Sequence, residues 1–223
     1  MKRIALIIPN TDITLETDLQ INLPPDYILH TDRMYLKDVT SESEKKMVDE
    51  ELPKSIKSLK NITDFDLAIF GCTSASAIYG LEGLNNIRNL MQDELNCKAT
   101  SAFEAVLNYI KEKEYKRIAL ITPYNDEVNA AMIKSLAEFN INVTYSKGLG
   151  LIEDIEISKV KPDEILKFVE ENKNEITINS DICFISCTNF RAMEIREKIM
   201  ELLDIEVITS NYCIFKFLVD AID

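Results

Sequence analysis

Two cysteines occupy matching places in the chain, Cys72 in Phe70-Gly71-Cys72-Thr73-Ser74 and Cys187 in Ile185-Ser186-Cys187-Thr188-Asn189, at an offset of 115. Each follows an apolar run and precedes small hydroxylated residues. Such a stretch between a strand and a helix exposes backbone N–H groups and favours an N-cap. That arrangement binds anions and is expected to lower the pKa of a thiol at the same place. Cys97, Cys183 and Cys213 have no such setting and read as small buried hydrophobes.

The cysteine motifs belong to a longer repetition. Arg3-Ile-Ala-Leu-Ile-Ile-Pro9-Asn-Thr-Asp12 recurs as Arg117-Ile-Ala-Leu-Ile-Thr-Pro123-Tyr-Asn-Asp126 at an offset of 114, and Ala99-Thr100-Ser101 as Ile208-Thr209-Ser210 at an offset of 109. Three echoes in the same order describe two copies of one unit of about half the chain, a period far longer than the roughly 20–50 residues of solenoid repeats.

Each copy must hold its motifs at strand ends. Apolar runs predict strands over 3–8, 27–30, 67–70 and 99–101, then over 117–122, 143–146, 182–186 and 207–210. Helical patterns fill the intervals at 43–59, interrupted by Pro53, and at 103–113, 128–139, 162–172 and 191–203. The alternation predicts an α/β fold with parallel sheets, whose ligands bind beyond the carboxyl ends of the strands. If the halves face each other, Cys72 and Cys187 meet over one cleft.

Composition narrows the function classes. The net charge of −13 opposes nucleic acid, whose binding relies on Lys and Arg. No apolar run approaches the roughly 20 residues needed to cross a bilayer, and Met1-Lys2-Arg3 with the short run 4–8 does not make a signal peptide. Five cysteines without a Cys-x-x-Cys pair read as reduced thiols, so the expected location is the cytoplasm. A single histidine, His30, leaves little room for Cys-His or two-histidine mechanisms and reads as a structural or surface residue.

These residues resemble the aspartate/glutamate racemase superfamily, and more closely its maleate cis-trans isomerase and arylmalonate decarboxylase branch. Pro9-x-x-Asp12-x-x-x-Glu16 is similar to that branch's opening Pro-x-x-Asn-x-x-x-Glu. Thr122-Pro123-Tyr124 followed by Val128-Asn129, then Ser186-Cys187-Thr188-Asn189 and Thr209-Ser210-Asn211, match its later motifs. The resemblance covers nearly the whole chain. It implies two similar flavodoxin-like units related by a pseudo-two-fold axis, with the active-site cleft between them and no metal, nucleotide or pyridoxal phosphate. It further implies that the thiolate matching Cys72 attacks the substrate or takes a proton, while Cys187 supplies a proton on the opposite face. Thr73, Ser74 and Tyr124 would cradle a carboxylate or enediolate, with Thr188, Asn189 and Asn211 as further substrate contacts. Asp12 and Asp154 stand where maleate isomerase-like members place substrate-binding asparagines, so the substrate is not carried over.

The expected activity is a cofactor-independent isomerase or racemase acting beside the carboxylate of a small carboxylic or amino acid. A decarboxylase of the arylmalonate type, a non-catalytic sensor of the same fold and a dithiol redox protein are the alternatives. The first unit is expected to comprise 1–98 with 206–223 and the second 99–205. A homo-oligomer is left open, and neither membrane nor nucleic acid is an expected partner.

Overall fold

Eight strands form two four-stranded parallel sheets in a computed structural model that describes residues 1–222. The first sheet is ordered β2-β1-β3-β4, with β1 Lys2–Pro9, β2 Tyr27–Met34, β3 Leu67–Phe70 and β4 Lys98–Ser101. The second repeats the order as β6-β5-β7-β8, with β5 Arg117–Tyr124, β6 Asn142–Leu151, β7 Ile182–Ile185 and β8 Glu206–Thr209. Central strands covered by helices on both faces must be apolar throughout. Accordingly Ile4 to Ile8, Ile118 to Ile121 and Ile182 to Ile185 are all fully buried. The expected α/β fold with two similar flavodoxin-like units is thus observed.

The strand pairing departs from the expected division of the chain at two strands, β4 and β8. Residues 99–101 hydrogen-bond to β3 in the first sheet, and 206–209 pair with β7 in the second. The helices that follow these two strands, Ala102–Glu112 and Ser210–Ile222, pack on each other and tie the halves together. We propose the unit boundaries lie just after β4 and β8, since a strand belongs with the ladder that satisfies its backbone.

Most helices lie near their expected places. The segment 43–59 runs as Ser41–Lys46, a π turn Met47–Glu51 and Leu52–Leu59. Pro53 has no N–H to offer the carbonyl four residues earlier, and the wider turn lies over that gap. The segment 191–203 opens as a short 3₁₀ turn, Met193–Ile195, before Arg196–Leu203. The 16-residue helix Gly80–Leu95 was not among the expected elements, because Gly80 and Gly83 weaken its helical signal. Among the described residues no helix is long and apolar enough to cross a membrane.

Candidate active site

The carboxyl ends of β3 and β7 deliver Cys72 and Cys187 into one enclosed region at the junction of the halves. Gly71 makes the first placement possible, since a Cβ there would lie 2.6 Å from Leu15 and 2.7 Å from Ile8. Cys72 then precedes the short helix Thr73–Ile78. Cys187 has φ of +100°, a conformation that costs a non-glycine residue about 1–3 kcal/mol and persists only where its surroundings fix it. Ser210 supplies part of that fixation. Its hydroxyl accepts the Cys187 backbone N–H at 3.2 Å and the Thr73 hydroxyl at 2.8 Å. The Thr188 hydroxyl donates to the Gly71 carbonyl at 3.3 Å, a second bond between the cysteine-bearing turns.

Tyr124 ends β5 and is fully buried. Its hydroxyl lies beside Cys187 and Ser186 without a well-formed hydrogen bond, and both thiols act on it electrostatically. Gly148 on β6 lets it in. A Cβ at that position would come within 2.2 Å of the Tyr124 carbonyl.

Asp12 and Asp154 enter from the two halves. Asp12 Oδ1 accepts the backbone N–H groups of Thr14 and Leu15 at 2.9 and 3.0 Å, while Oδ2 has no partner. Asp154 Oδ2 accepts the Thr11 hydroxyl at 2.5 Å and the Asn189 amide at 3.0 Å. Asn189 spends the rest of its capacity on Thr11, Ile13 and Thr14, so its amide clamps the halves together. Asn211 donates to Asp18 and to the Thr188 carbonyl, leaving its Oδ1 without a partner.

A residue absent from the expected set completes the region. Glu44, on the helix Ser41–Lys46, is fully buried and accepts the Ser74 hydroxyl through Oε1, while Oε2 has no partner. Ser74 Oγ in turn lies 3.8 Å from the Cys72 sulfur. Glu44 sits in Ser-Glu-Ser-Glu-Lys-Lys, which reads as the solvated start of a helix, so sequence gave no sign of its burial. Ser210 could have been found, because it lies in a repeated motif.

The hydroxyls therefore do not cap the helix after Cys72 as expected. Thr73 bonds to Ser210, Ser74 to Glu44, and Ser76 to the Cys72 carbonyl at 2.6 Å. Nor is either thiol pKa lowered. Burial raises that of Cys72 well above the ordinary value, reinforced by Glu44 and Asp154, against which the Ala75 N–H is a smaller effect. Burial raises Cys187 likewise, with Asp154 and Asp12 adding to it. Desolvation and neighbouring carboxylates outweigh a helix of only six residues.

The carboxyls respond in the same sense. Burial and then Asp154 push Asp12 up to about 7, and burial followed by the acidic neighbours Asp154, Glu127 and Asp38 pushes Glu44 to about 8. Asp154 is raised by burial against the bonds from Thr11 and Asn189. No Lys, Arg or His is among the groups that shift Asp12, Asp154, Glu44 or the two thiols. Among the described residues seven buried side-chain polar atoms lack a partner, and four of them are here: Asp12 Oδ2, Glu44 Oε2, Tyr124 Oη and Asn211 Oδ1. Each such atom costs about 1–3 kcal/mol, a cost a bound polar ligand would offset.

The remaining expectations concern residues outside this region. Cys183 and Cys213 are buried as expected, whereas Cys97 is half-buried. His30 packs edge-on against Phe65 with ring centroids 5.5 Å apart. A surface cavity of about 950 Å³ lined by Arg88, Tyr115, Arg117 and Phe139 lies by the amino-terminal end of β5, away from the cysteines.

Comparison with known proteins agrees with the fold. The family model described as arylmalonate decarboxylase matches residues 4–222. A maleate isomerase from Geobacillus stearothermophilus is 25% identical over 93% of this chain and 86% of that protein. A maleate cis-trans isomerase from Nocardia farcinica, solved as a cysteine-to-serine variant with a covalently bound succinylcysteine intermediate, superposes with a TM-score of 0.87 at 15% identity, covering 100% of this chain and 93% of that one. A liganded double mutant of arylmalonate decarboxylase superposes at 0.86 with 21% identity, covering 99% and 92%.

Proposed function

Because the chain belongs to the arylmalonate decarboxylase family, we propose that it is a cofactor-independent isomerase or racemase acting beside the carboxylate of a small acid through Cys72 and Cys187. One observation carries this reading. The equivalent turns of two repeated units meet, with a thiol on each and a tyrosine hydroxyl acted on by both. Cys72 attacks the substrate or removes a proton from one face, and Cys187 delivers a proton from the other, a division of labour that needs a group on each side. The maleate isomerase relatives support this pairing, and a succinylcysteine in one of them supports direct attack by sulfur.

The raised thiol pKa values bear on the chemistry. Both thiols rest as S–H in the closed site, and each loses its proton as it reacts. The Tyr124 hydroxyl and the backbone N–H groups of the Thr73 and Thr188 turns are the donors available to hold the substrate as charge moves on to its carboxylate, in the manner of an oxyanion hole, whereas the free Asn211 Oδ1 is an acceptor suited to a substrate N–H.

The substrate we propose carries an amino or amide group as well as a carboxylate. Two unit charges about 4 Å apart repel by roughly 4 kcal/mol at an effective dielectric near 20, so a dicarboxylate loses binding as pH rises through about 7 and Asp12 ionises. An ammonium or amide N–H instead satisfies the free Asp12 Oδ2. The test is to incubate the protein in deuterated water with small mono- and dicarboxylic acids, amino acids and their amides, and to look for exchange at the α-carbon. Exchange confined to nitrogen-bearing acids supports the reading; exchange on simple dicarboxylates alone overturns the substrate class.

A further inference from the structure

We propose that Glu44 is a positioning residue that draws the proton from Cys72 through Ser74, so that Cys72, Ser74 and Glu44 form a relay. The proposal rests on the reading of Cys72 as the reacting thiol. Three observations lead to it. Glu44 is fully buried, its Oε1 takes the Ser74 hydroxyl proton, and Ser74 Oγ is the polar side-chain atom beside the Cys72 sulfur, at 3.8 Å. A hydroxyl has one proton. While Glu44 is a carboxylate the proton of Ser74 is committed to it, and the Cys72 S–H is then the donor in the first link. The chain therefore has a direction, from sulfur to carboxylate.

The step balances within these three side chains. As the Cys72 sulfur bonds to the substrate, the S–H proton passes to Ser74 Oγ and the Ser74 proton passes to Glu44 Oε1, while the electron pair of the substrate double bond moves towards its carboxylate as an enediolate. Sulfur keeps the electron pair of the broken S–H bond, and Glu44 ends as the neutral acid. The reverse transfer restores the thiol when product leaves. The relay also resolves a difficulty of the closed site. A free thiolate is disfavoured by burial and by nearby carboxylates, whereas a proton that leaves during attack never requires one.

The relay works only while Glu44 is ionised. The groups acting on it are Ser74 from the helix after Cys72, Asp154 from the second half, Glu127 from the helix Asp126–Glu138 and Asp38 from the preceding loop, while Lys45 and Lys46 on its own helix are exposed. These surroundings put its titration at about 8.

The test follows carboxamidomethylation of Cys72 by iodoacetamide, read on the Cys72 peptide by mass spectrometry from about pH 6 to about pH 10. In the wild type the rate should bend upward through about pH 8. Glu44→Gln and Ser74→Ala should lose the bend and react more slowly above it, on the order of 100-fold, the lower end of what a positioned general base contributes. Glu44→Asp should recover part of the bend. If Glu44→Gln reacts as fast as wild type or faster, the carboxylate acts only as a neighbouring negative charge and the relay is overturned. Ser74→Ala keeps that charge, so it answers the question even if the Gln variant folds poorly. The role of Cys72 itself is read separately, from α-carbon exchange in Cys72→Ala. Loss of exchange there with an unchanged pH bend in Ser74→Ala would end the relay and leave the proposed function standing.

Discussion

The Cys187 backbone N–H donates to the Ser210 hydroxyl at 3.2 Å, binding the strained turn at the end of β7 to the end of β8. Ser210 is buried and also receives the Thr73 hydroxyl, so one oxygen holds both cysteine-bearing turns.

Ser210→Ala is therefore expected to leave two buried donors without a partner and to lower stability by about 1–3 kcal/mol. Urea unfolding measures this. A larger fractional loss of turnover than the stability change explains is also expected, because Cys187 would be free to leave its positive φ. A variant with wild-type midpoint and activity would show that the shared hydroxyl does not fix the site.

Burial of the acids sets the response of stability to pH. Asp12, Asp18 and Glu44 have folded-state pKa values raised to about 7, 6 and 8. The folded state then binds more protons than the unfolded chain, so the stability these groups contribute is fully present near pH 4 and is lost as pH rises through about 6 to 8. Asp38 and Asp181 have lowered values and act in the opposite sense, but both lie at the surface. Glu44→Gln and Asp12→Asn should flatten the decline and raise stability at pH 8, on the order of a few kcal/mol for the pair. A thermal midpoint that rises between pH 5 and pH 8 would contradict this assignment.

Neither Cys72 nor Cys187 should be hyper-reactive in the resting protein. Both thiols are buried with raised pKa values, so iodoacetamide at pH 7 should label the half-buried Cys97 before either. Labelling of Cys72 or Cys187 faster than a free thiol, whose pKa is about 8.5, would mean that a thiolate already exists in the closed site.

Charge at Asp12 and Asp154 should select substrates. Asp12→Asn, alone or with Asp154→Asn, is expected to improve binding of maleate and similar dicarboxylates and to weaken binding of nitrogen-bearing acids. The gain should appear above about pH 7, where Asp12 is ionised, and reach up to about three orders of magnitude for a repulsion of roughly 4 kcal/mol. Equal maleate affinity in wild type and both variants, by calorimetry, would show that these carboxyls do not meet the substrate.

Much of the fold could be read from the chain because repetition and periodicity are properties of the backbone's immediate surroundings. Buried parallel strands announce themselves as Ile-Ala-Leu-Ile, and the repeat placed Cys72, Cys187 and Tyr124 at strand ends. What sequence could not reveal were long-range effects. The thiol pKa values depend on Glu44, Asp154 and Asp12, which lie far along the chain from the cysteines they act on. The pairing of β4 and β8 was also hidden, because Ala-Thr-Ser and Ile-Thr-Ser fit either sheet equally well. Asn189 has a type that suits a ligand contact, but its amide is consumed by Thr11 across the halves and by Asp154 in its own half.

The most direct measurement compares α-carbon deuterium exchange in wild type, Cys72→Ala and Cys187→Ala on one nitrogen-bearing acid that the wild type processes. Each thiol serves one face, so both variants should lose overall turnover by at least about 100-fold while keeping the wild-type circular dichroism spectrum and unfolding midpoint. Cys97→Ala, outside the site, should retain it. Turnover of that substrate at wild-type rates by the Cys72→Ala, Cys187→Ala double variant would contradict the account at its centre.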